Sequence, residues 1–158
     1  MNALILDDEP LTAKLLKKLV QTNCYAVKKI EIRTNPIQVL NELPLKFDLL
    51  FIDIKMPQMS AFEFLKTAEL PKTVPIIFTT AHEEFALEAF NANAIDYLVK
   101  PVSPSKLISA VDKAKRYIGE SRTVTPLKPV LEKLKIYHDQ EYILLNQNEI
   151  IHLDGSGW

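Results

Sequence analysis

Five short hydrophobic runs alternate along the chain with longer segments in which apolar residues recur every three or four positions. The runs are aliphatic and contain few polar residues, which is typical of strands that helices cover on both faces. They lie at Ala3–Leu6, Lys29–Ile32, Phe47–Ile52, Pro75–Phe78 and Ile95–Val99. The segments with helical spacing are Leu11–Val20, Pro36–Leu43, Phe62–Ala68, Glu83–Phe90 and Pro104–Ile118. This alternation predicts an α/β fold with a doubly wound parallel sheet.

Two of the predicted helices begin with clear local signals. Asn35 precedes Pro36, and Ser103 precedes Pro104. Asn and Ser side chains accept hydrogen bonds from the free N–H groups of a first helical turn, and proline fits the first helical position. These two dipeptides therefore predict capped helix starts.

The pattern changes after Gly119. Glu120–Pro129 contains two prolines and several small polar residues, which predicts a linker. Beyond it, Leu134–Tyr137, Tyr142–Leu145 and Glu149–Leu153 have the composition of short strands joined by polar turns. Roughly thirty residues of this kind bury too little surface for a core of their own. We therefore expect a first domain at 1–119, a linker at 120–129 and an incomplete β-rich unit at 130–158.

Composition narrows the class of protein. Hydrophobic residues make up 47% of the 158 residues, which is enough for a packed core. The 19 basic and 20 acidic residues nearly balance, so no overall charge indicates nucleic acid or a membrane surface as partner. The lone cysteine, Cys24, and the absence of a basic signal-peptide start or a membrane-length apolar run favour a cytoplasmic protein.

Polar residues follow four of the five predicted strands at the point where each strand ends. In parallel sheets the carboxyl ends of the strands meet at one edge, where ligands bind. Each residue alone has an ordinary explanation, such as helix capping for Asp8 or solvent exposure for Lys100. Their joint placement at one predicted edge favours a functional site. The residues are Asp7, Asp8, Asp53, Thr79, Thr80 and Lys100.

The chemistry of this set indicates a metal ion and a phosphoryl group. Clustered carboxylates repel one another unless a cation offsets their charge, and oxygen ligands select Mg²⁺ (or Mn²⁺). A lysine adds a second positive charge for a phosphoryl group, and a carboxylate can carry that group as an acyl phosphate. Because Asp7 and Asp8 are adjacent and can share the metal, the sequence favours the isolated Asp53 as the nucleophile.

These motifs resemble the response-regulator receiver domain of two-component signalling over about residues 1–119. The resemblance rests on Asp7-Asp8, on Asp53 before Met56-Pro57, on Thr80-Ala81, and on Tyr97 with Lys100-Pro101. It implies a flavodoxin-like (βα)5 fold with strand order 2-1-3-4-5, followed here by a short β-rich tail. It also implies phosphorylation of Asp53 by a sensor histidine kinase.

The resemblance assigns metal ligands as well. It implies that Asp8, Asp53 and the backbone carbonyl of Lys55 hold Mg²⁺, and that Asp7 acts through water. The family usually has glycine eight residues after the phosphorylated aspartate, where this chain has Ala61. If that position requires a positive φ, alanine is strained there.

The resemblance further implies a switch. Lys100 pairs with the phosphoryl group, Thr80 hydrogen-bonds it, and Tyr97 swings inward as Thr80 moves. The Lys100–Pro101 peptide is expected to be cis. His82, two residues after Thr80, is either a solvated residue at a helix start or a group that tunes dephosphorylation.

The segments HEEFALEAFNANAIDYLVKP and EIIHLDGSGW resemble regulators of the LytR/AlgR type, in which a receiver precedes a LytTR-type DNA-binding domain. Residues 120–158 hold four basic residues against six acidic ones, which is no phosphate-binding pattern. We therefore expect any DNA-recognition surface to lie beyond Trp158, in a part of the protein that this chain lacks.

Three functions compete at this level. The first is a response regulator whose phosphorylation controls DNA binding, and the second is a stand-alone receiver that docks other proteins. The third, a phosphatase with an aspartyl nucleophile, is disfavoured because Lys55 stands where such enzymes carry a second aspartate. The sequence thus favours a phosphoacceptor switch over an enzyme.

A homodimer is a further expectation. It would form through the fourth and fifth helices and the fifth strand, where charges of both signs suit a symmetric pairing. The residues of that surface are Glu88, Asn91, Asp96, Lys106, Asp112 and Lys115.

Overall fold

A computed structural model describes residues 1–92, 94–122, 134–138 and 141–145. The chain divides into two compact units, Met1–Val124 and Thr125–Trp158. In the first unit the strands are β1 (Asn2–Leu6), β2 (Lys29–Arg33), β3 (Leu49–Asp53), β4 (Ile76–Thr80) and β5 (Asp96–Val99). The helices are α1 (Pro10–Asn23), α2 (Pro36–Glu42), α3 (Ala61–Ala68), α4 (Ala86–Asn91) and α5 (Pro104–Arg122).

All five strands of the first unit are parallel, in the order β2-β1-β3-β4-β5. This confirms the predicted doubly wound fold and its strand order. β1 and β3 lie in the middle of the sheet, and β1 pairs with β2 and β3 at once. The first helix therefore leaves the sheet near its centre, where the strand order reverses.

Alternate residues of the central strands face opposite layers of helices, as the period of a strand requires. Ala3 and Ile5 of β1 pack in one core with apolar residues of α1 and α5. Leu4 and Leu6 pack in a second core with residues of α2, α3 and α4. The side chains of Ala3–Leu6 in β1 and of all residues in β3 are buried, which explains the hydrophobic runs in these two strands.

Both predicted caps are present. The Asn35 side chain accepts hydrogen bonds from the backbone N–H groups of Ile37 and Gln38. The Ser103 hydroxyl accepts one from the N–H of Lys106, at 3.3 Å. The helix starts at Pro36 and Pro104 are therefore confirmed.

Several predicted boundaries differ from the observed ones, and two of these differences change an element. The segment predicted as a single helix over Glu83–Phe90 begins with a 3₁₀ turn, Glu83–Phe85, before α4 starts at Ala86. α5 continues to Arg122, so the first three residues of the predicted linker are helical. The helix passes through Gly119, since one glycine costs a helix only about 1 kcal/mol.

In the second unit, β6 (Leu134–His138) and β7 (Glu141–Leu145) pair antiparallel, with Leu134 opposite Leu145 and His138 opposite Glu141. This confirms two of the short strands predicted for the tail. The predicted strand at Glu149–Leu153 and the linker beyond Arg122 lie outside the described residues. Among the helices that the structure describes, none is long and apolar enough to cross a bilayer.

Candidate functional site

The carboxyl ends of β1, β3, β4 and β5 bring the predicted site residues to one edge of the sheet. Asp7 follows β1, Asp53 is the last residue of β3, and Lys100 follows β5. The register places Asp53 beside Thr79 on β4, and the Lys100 N–H donates to the Thr80 carbonyl at 2.7 Å. The strand ends therefore meet as the topology predicts.

Lys100 joins two carboxylates at the centre of the site. Its Nζ lies 2.8 Å from Asp7 Oδ2 and 2.8 Å from Asp53 Oδ1. The side chains of Asp7 and Asp53 are 1% and 9% exposed, and that of Lys100 is 20% exposed. Two nearly buried acids thus share one ammonium group, which leaves the cluster with a net negative charge.

The other oxygen of each carboxylate accepts a hydrogen bond from the backbone. The Glu9 N–H donates to Asp7 Oδ1 at 3.0 Å, and the Lys55 N–H donates to Asp53 Oδ2 at 3.1 Å. Each contact spans two residues, so the loop after each strand folds back on the acid that precedes it. Both carboxylates are held in place from two sides.

Burial and pairing oppose each other in the electrostatics of this cluster. Burial raises the pKa of Asp53, and the Asp7 charge adds to this, while the Lys100 contacts offset only part of the shift. Burial by itself lowers the pKa of Lys100, but the hydrogen bonds to Asp53 and Asp7 outweigh it and raise that pKa overall. Lys100 therefore stays charged, while the ionised form of Asp53 costs free energy.

Asp8 lies beside this cluster and is half-buried. The α1 cap position belongs to Glu9, which makes no side-chain capping hydrogen bond, so Asp8 does not cap the helix. Asp8 instead lines an open groove of about 530 Å³ with Lys55 and the loop that leads to α3. The capping explanation for Asp8 is therefore wrong, and Asp8 borders the groove instead.

The oxygen atoms at this edge of the sheet are of the type that binds a hard cation such as Mg²⁺. Within the described parts of the chain, no three acidic, imidazole or thiol side chains form a preassembled metal cluster. Mg²⁺ requires no such cage, because it keeps several waters and binds through one or two carboxylates. Asp8 and Asp53, together with the Lys55 carbonyl in the loop after β3, offer that kind of oxygen set.

The two threonines at the end of β4 are both buried but differ in their hydrogen bonds. The Thr80 hydroxyl accepts a hydrogen bond from the N–H of His82, at 3.2 Å. The Thr79 hydroxyl has no hydrogen-bond partner in the part of the chain that the structure describes. Only Thr80 is thus tied to the loop that follows β4.

Tyr97 on β5 contacts the same loop. Its hydroxyl donates to the backbone carbonyl of His82, and its ring packs against the core beneath α3 and α4. The Lys100–Pro101 peptide is cis, as the resemblance implies. Thr80 and Tyr97 therefore contact neighbouring backbone atoms of a single residue, His82.

Ala61 occupies its position without strain. Glu69 is the one non-glycine residue with positive φ in the described ranges. Ala61 is buried at the first position of α3, and its N–H donates to the Ile54 carbonyl at 3.0 Å. The backbone here does not need the glycine that the resemblance implies.

A charged contact that the sequence did not predict links two loops at the mouth of the site. Glu84 Oε1 lies 2.9 Å from His82 Nδ1 and 4.0 Å from Lys55 Nζ. The Lys55 ammonium also lies 5.1 Å from the centre of the Phe85 ring. No pattern in the sequence indicates this contact, since it depends on how the loops after β3 and β4 approach each other.

Comparisons with known proteins agree with this geometry. A family model described as the response regulator receiver domain matches residues 3–112. The sensory transduction protein LytR of Staphylococcus epidermidis is 35% identical over 97% of this chain and 66% of that protein. The positive alginate biosynthesis regulatory protein of Pseudomonas aeruginosa is 40% identical over 73% of this chain and 48% of that protein. The chain thus spans less than two thirds of the length of either relative.

Among solved structures, a response regulator protein from Thermotoga maritima in complex with Mg(2+)-BeF is similar over 72% of this chain and 97% of that chain. Its TM-score is 0.62, and its sequence is 29% identical.

Proposed function

The chain belongs to the response regulator receiver family and resembles regulators of the LytR/AlgR type, and on that premise we propose that Asp53 accepts a phosphoryl group from a sensor histidine kinase. The observation that carries the proposal is the contact of Lys100 Nζ with Asp53 Oδ1 and Asp7 Oδ2, each at 2.8 Å. The ammonium is already in place for the charge that a phosphoryl group brings.

The transfer is a displacement at phosphorus. A carboxylate oxygen of Asp53 attacks the phosphorus atom of a phosphohistidine, and a P–O bond forms while the P–N bond breaks. The electron pair leaves with the imidazole of the kinase, which takes up a proton from water. Asp53 then carries an acyl phosphate. New contacts made by this dianion supply the free energy for the conformational change.

The chain's own residues supply most of the positioning. The Lys55 N–H fixes one oxygen of Asp53, and Lys100 fixes the other. Bound Mg²⁺ would add its positive charge to that of Lys100 and offset the negative charge on the oxygens of the transferred phosphoryl group. Asp8, Asp53 and the Lys55 carbonyl would hold it, and Asp7 would act through water.

Thr80 and Tyr97 would report the phosphoryl group to the surface. The Thr80 hydroxyl accepts a hydrogen bond from the His82 N–H, and its own O–H could donate to a phosphoryl oxygen. A movement of Thr80 toward that oxygen would pull on the contact with His82. The Tyr97 hydroxyl donates a hydrogen bond to the carbonyl of the same residue. A shift of the loop at His82 would therefore change the space that is open to the Tyr97 ring. Thr80 and Tyr97 together would form the conformational switch.

An exposed apolar surface beside the site supports a protein as the phosphoryl donor. Leu11 and Leu15 on α1 are 74% and 58% exposed. They are four residues apart, so they share one face of a helix that begins directly after the acidic loop. A kinase that binds this face would bring its histidine to the adjacent edge of the sheet.

The output function is proposed from the regulators to which the chain is similar. We propose a cytoplasmic regulator whose phosphorylation controls DNA binding by a LytTR-type domain, of which residues 130–158 are the beginning. A homodimer through α4, β5 and α5 would couple the two events. Asp96 in that surface is paired with Lys113 of the same chain at 2.7 Å, so a partner would have to bind around this pair.

Intact mass after incubation with acetyl phosphate tests the proposal. We expect one phosphoryl adduct on the wild type with Mg²⁺, and none without Mg²⁺ or on Asp53→Asn. An adduct that persists on Asp53→Asn would assign the acceptor to another residue. A wild type that never labels would instead favour a receiver that signals by docking alone.

A further inference from the structure

The Lys55 and His82 side chains next to the site both face a single carboxylate outside it. Lys55 and His82 each contact the site through the backbone, because their N–H groups donate to Asp53 Oδ2 and to the Thr80 hydroxyl. Their side chains both meet Glu84 Oε1, at 4.0 Å for Lys55 Nζ and 2.9 Å for His82 Nδ1.

We propose that Glu84 is a positioning residue that acts as a surrogate anion: it holds Lys55 and His82 away from Asp53 until a phosphoryl group competes for them. The inference rests on the proposed function and goes beyond it, because it names the residue that sets how readily the site gains and keeps its phosphoryl group. Glu84 itself touches none of the reacting atoms.

The charge of Glu84 fits this role. The hydrogen bond from its own backbone N–H and the charges of His82 and Lys55 lower the pKa of Glu84, so it is ionised at neutral pH. A carboxylate oxygen only accepts hydrogen bonds, so Nδ1 of His82 carries the proton in this contact. Glu84 thus takes from both neighbours the contacts that a phosphoryl oxygen would use.

The contact is also weak enough to exchange. The side chains of Lys55 and Glu84 are more than half exposed, and water screens such pairs. A phosphoryl dianion on Asp53 carries about twice the charge of Glu84, and it would sit within two residues of Lys55. The competition therefore favours the phosphoryl group once it is present.

The geometry explains why a single residue can hold both side chains. Glu84 lies in the 3₁₀ turn between β4 and α4, opposite the loop that carries Lys55. Phe85, the next residue, packs against both the Lys55 ammonium and the His82 ring, which keeps the two side chains near the turn. Removal of the Glu84 charge would free both side chains without altering the backbone contacts to Asp53 and Thr80.

The test is Glu84→Gln, compared with Glu69→Gln as a control. Both variants remove one negative charge from an exposed position, but Glu69 ends α3 at the opposite edge of the sheet. We expect Glu84→Gln to speed labelling by acetyl phosphate and to slow loss of the phosphoryl group, each by about two- to five-fold, which is the range of an exposed ion pair. Glu69→Gln should change neither rate.

A variant that lacks the Lys55 and His82 side chains distinguishes positioning by Glu84 from simple repulsion between Glu84 and the phosphoryl group. In a chain that carries Lys55→Met and His82→Gln, the substitution Glu84→Gln should have no further effect, because nothing is left for Glu84 to hold. An equal effect in that background would mean that Glu84 only repels anions, and the proposal would fail. Equal rates for Glu84→Gln and the wild type would also overturn it.

A readout that needs no turnover completes the test. The ring resonances of His82 in NMR spectra should move, on phosphorylation of the wild type, toward their positions in unphosphorylated Glu84→Gln. If the wild type labels at Asp53 but these resonances stay fixed, the switch stands and the role of Glu84 does not. If nothing labels at Asp53, the proposed function itself fails.

Discussion

Lys100 Nζ lies 2.8 Å from Asp53 Oδ1, although the two residues are 47 positions apart in the sequence. The same nitrogen contacts Asp7, so two nearly buried acids depend on one cation. An arrangement of this kind is poised for a phosphoryl group but is costly for the fold, because one negative charge is left uncompensated.

Asp53→Asn should therefore stabilise the protein. Burial raises the pKa of Asp53, so its ionised form opposes folding at neutral pH, and the amide removes that charge. We expect a gain of about 1 kcal/mol, or about 3 °C in Tm, at pH 7. Thermal unfolding followed by circular dichroism would measure it.

The pH dependence of that gain gives its control. A raised folded-state pKa favours folding while Asp53 is protonated, and this contribution is lost as pH rises from the ordinary pKa of 3.8 through the folded pKa. The gain in Asp53→Asn should thus shrink toward zero as pH falls below 3.8. A gain that is the same at pH 3 and pH 7 would contradict the electrostatic explanation.

Lys100→Met should act in the opposite direction. It leaves Asp7 and Asp53 buried side by side without their shared cation. Loss of one partner from a fully buried pair costs about 3–5 kcal/mol, and we expect about 2 kcal/mol here because Lys100 is partly exposed. Urea unfolding at pH 7 would measure the loss.

The double variant Asp53→Asn/Lys100→Met separates charge from packing. Most of the stability lost in Lys100→Met should return when one of the two acids is neutral. Phosphoryl labelling of Lys100→Met itself should persist in part, while the conformational response is lost. A double variant as unstable as Lys100→Met would mean that the lysine stem, and not its charge, supports the fold.

The two threonines at the end of β4 make a matched pair. The buried Thr79 hydroxyl lacks a hydrogen-bond partner in the described part of the chain, whereas Thr80 accepts from the His82 N–H. Thr79→Val should be neutral or stabilising by up to about 1 kcal/mol, because it removes an unpaired polar atom. Thr80→Val should destabilise by about 1 kcal/mol, because it strips the His82 N–H of its acceptor.

Chemical unfolding of both valine variants at one pH would compare them. The two substitutions change volume equally, so the difference between them isolates the hydrogen bond. Equal losses in both variants would show that the methyl group of valine, and not the missing hydroxyl, sets the cost at these positions.

Sequence alone predicts the strand ends well, and the reasons are physical. Parallel strands bring their carboxyl ends to one edge, so Asp7, Asp53 and Lys100 had to meet once the alternation of strands and helices was recognised. Element ends were harder to predict. Gly119 marked a plausible helix end, yet the residues after it are compatible with a helix and α5 continues to Arg122.

Contacts between loops were beyond prediction. Glu84 meets Lys55 only because the loops after two neighbouring strands lean toward each other, and no periodicity in the sequence encodes that approach. The same holds for the difference between Thr79 and Thr80, since strand pattern alone gives two equivalent threonines. Their hydrogen bonds distinguish them only in the folded chain.

The loop that lines the groove beside Asp8 is anchored by a reciprocal cap at the start of α3. The Ser60 hydroxyl accepts from the Glu63 N–H, and the Glu63 carboxylate accepts from the Ser60 N–H and hydroxyl. The hydrogen bonds from Ser60 lower the pKa of Glu63. The contribution of this carboxylate to stability is therefore present above its ordinary pKa of 4.5 and is lost as pH falls through the folded value.

Ser60→Ala should cost about 1 kcal/mol at pH 7, the usual effect of losing such a cap. The cost should be smaller at pH 3, where a protonated Glu63 no longer completes the box. Urea unfolding at both pH values would measure it. A cost that does not change between the two pH values would mean that the Ser60 hydroxyl acts without the Glu63 carboxylate.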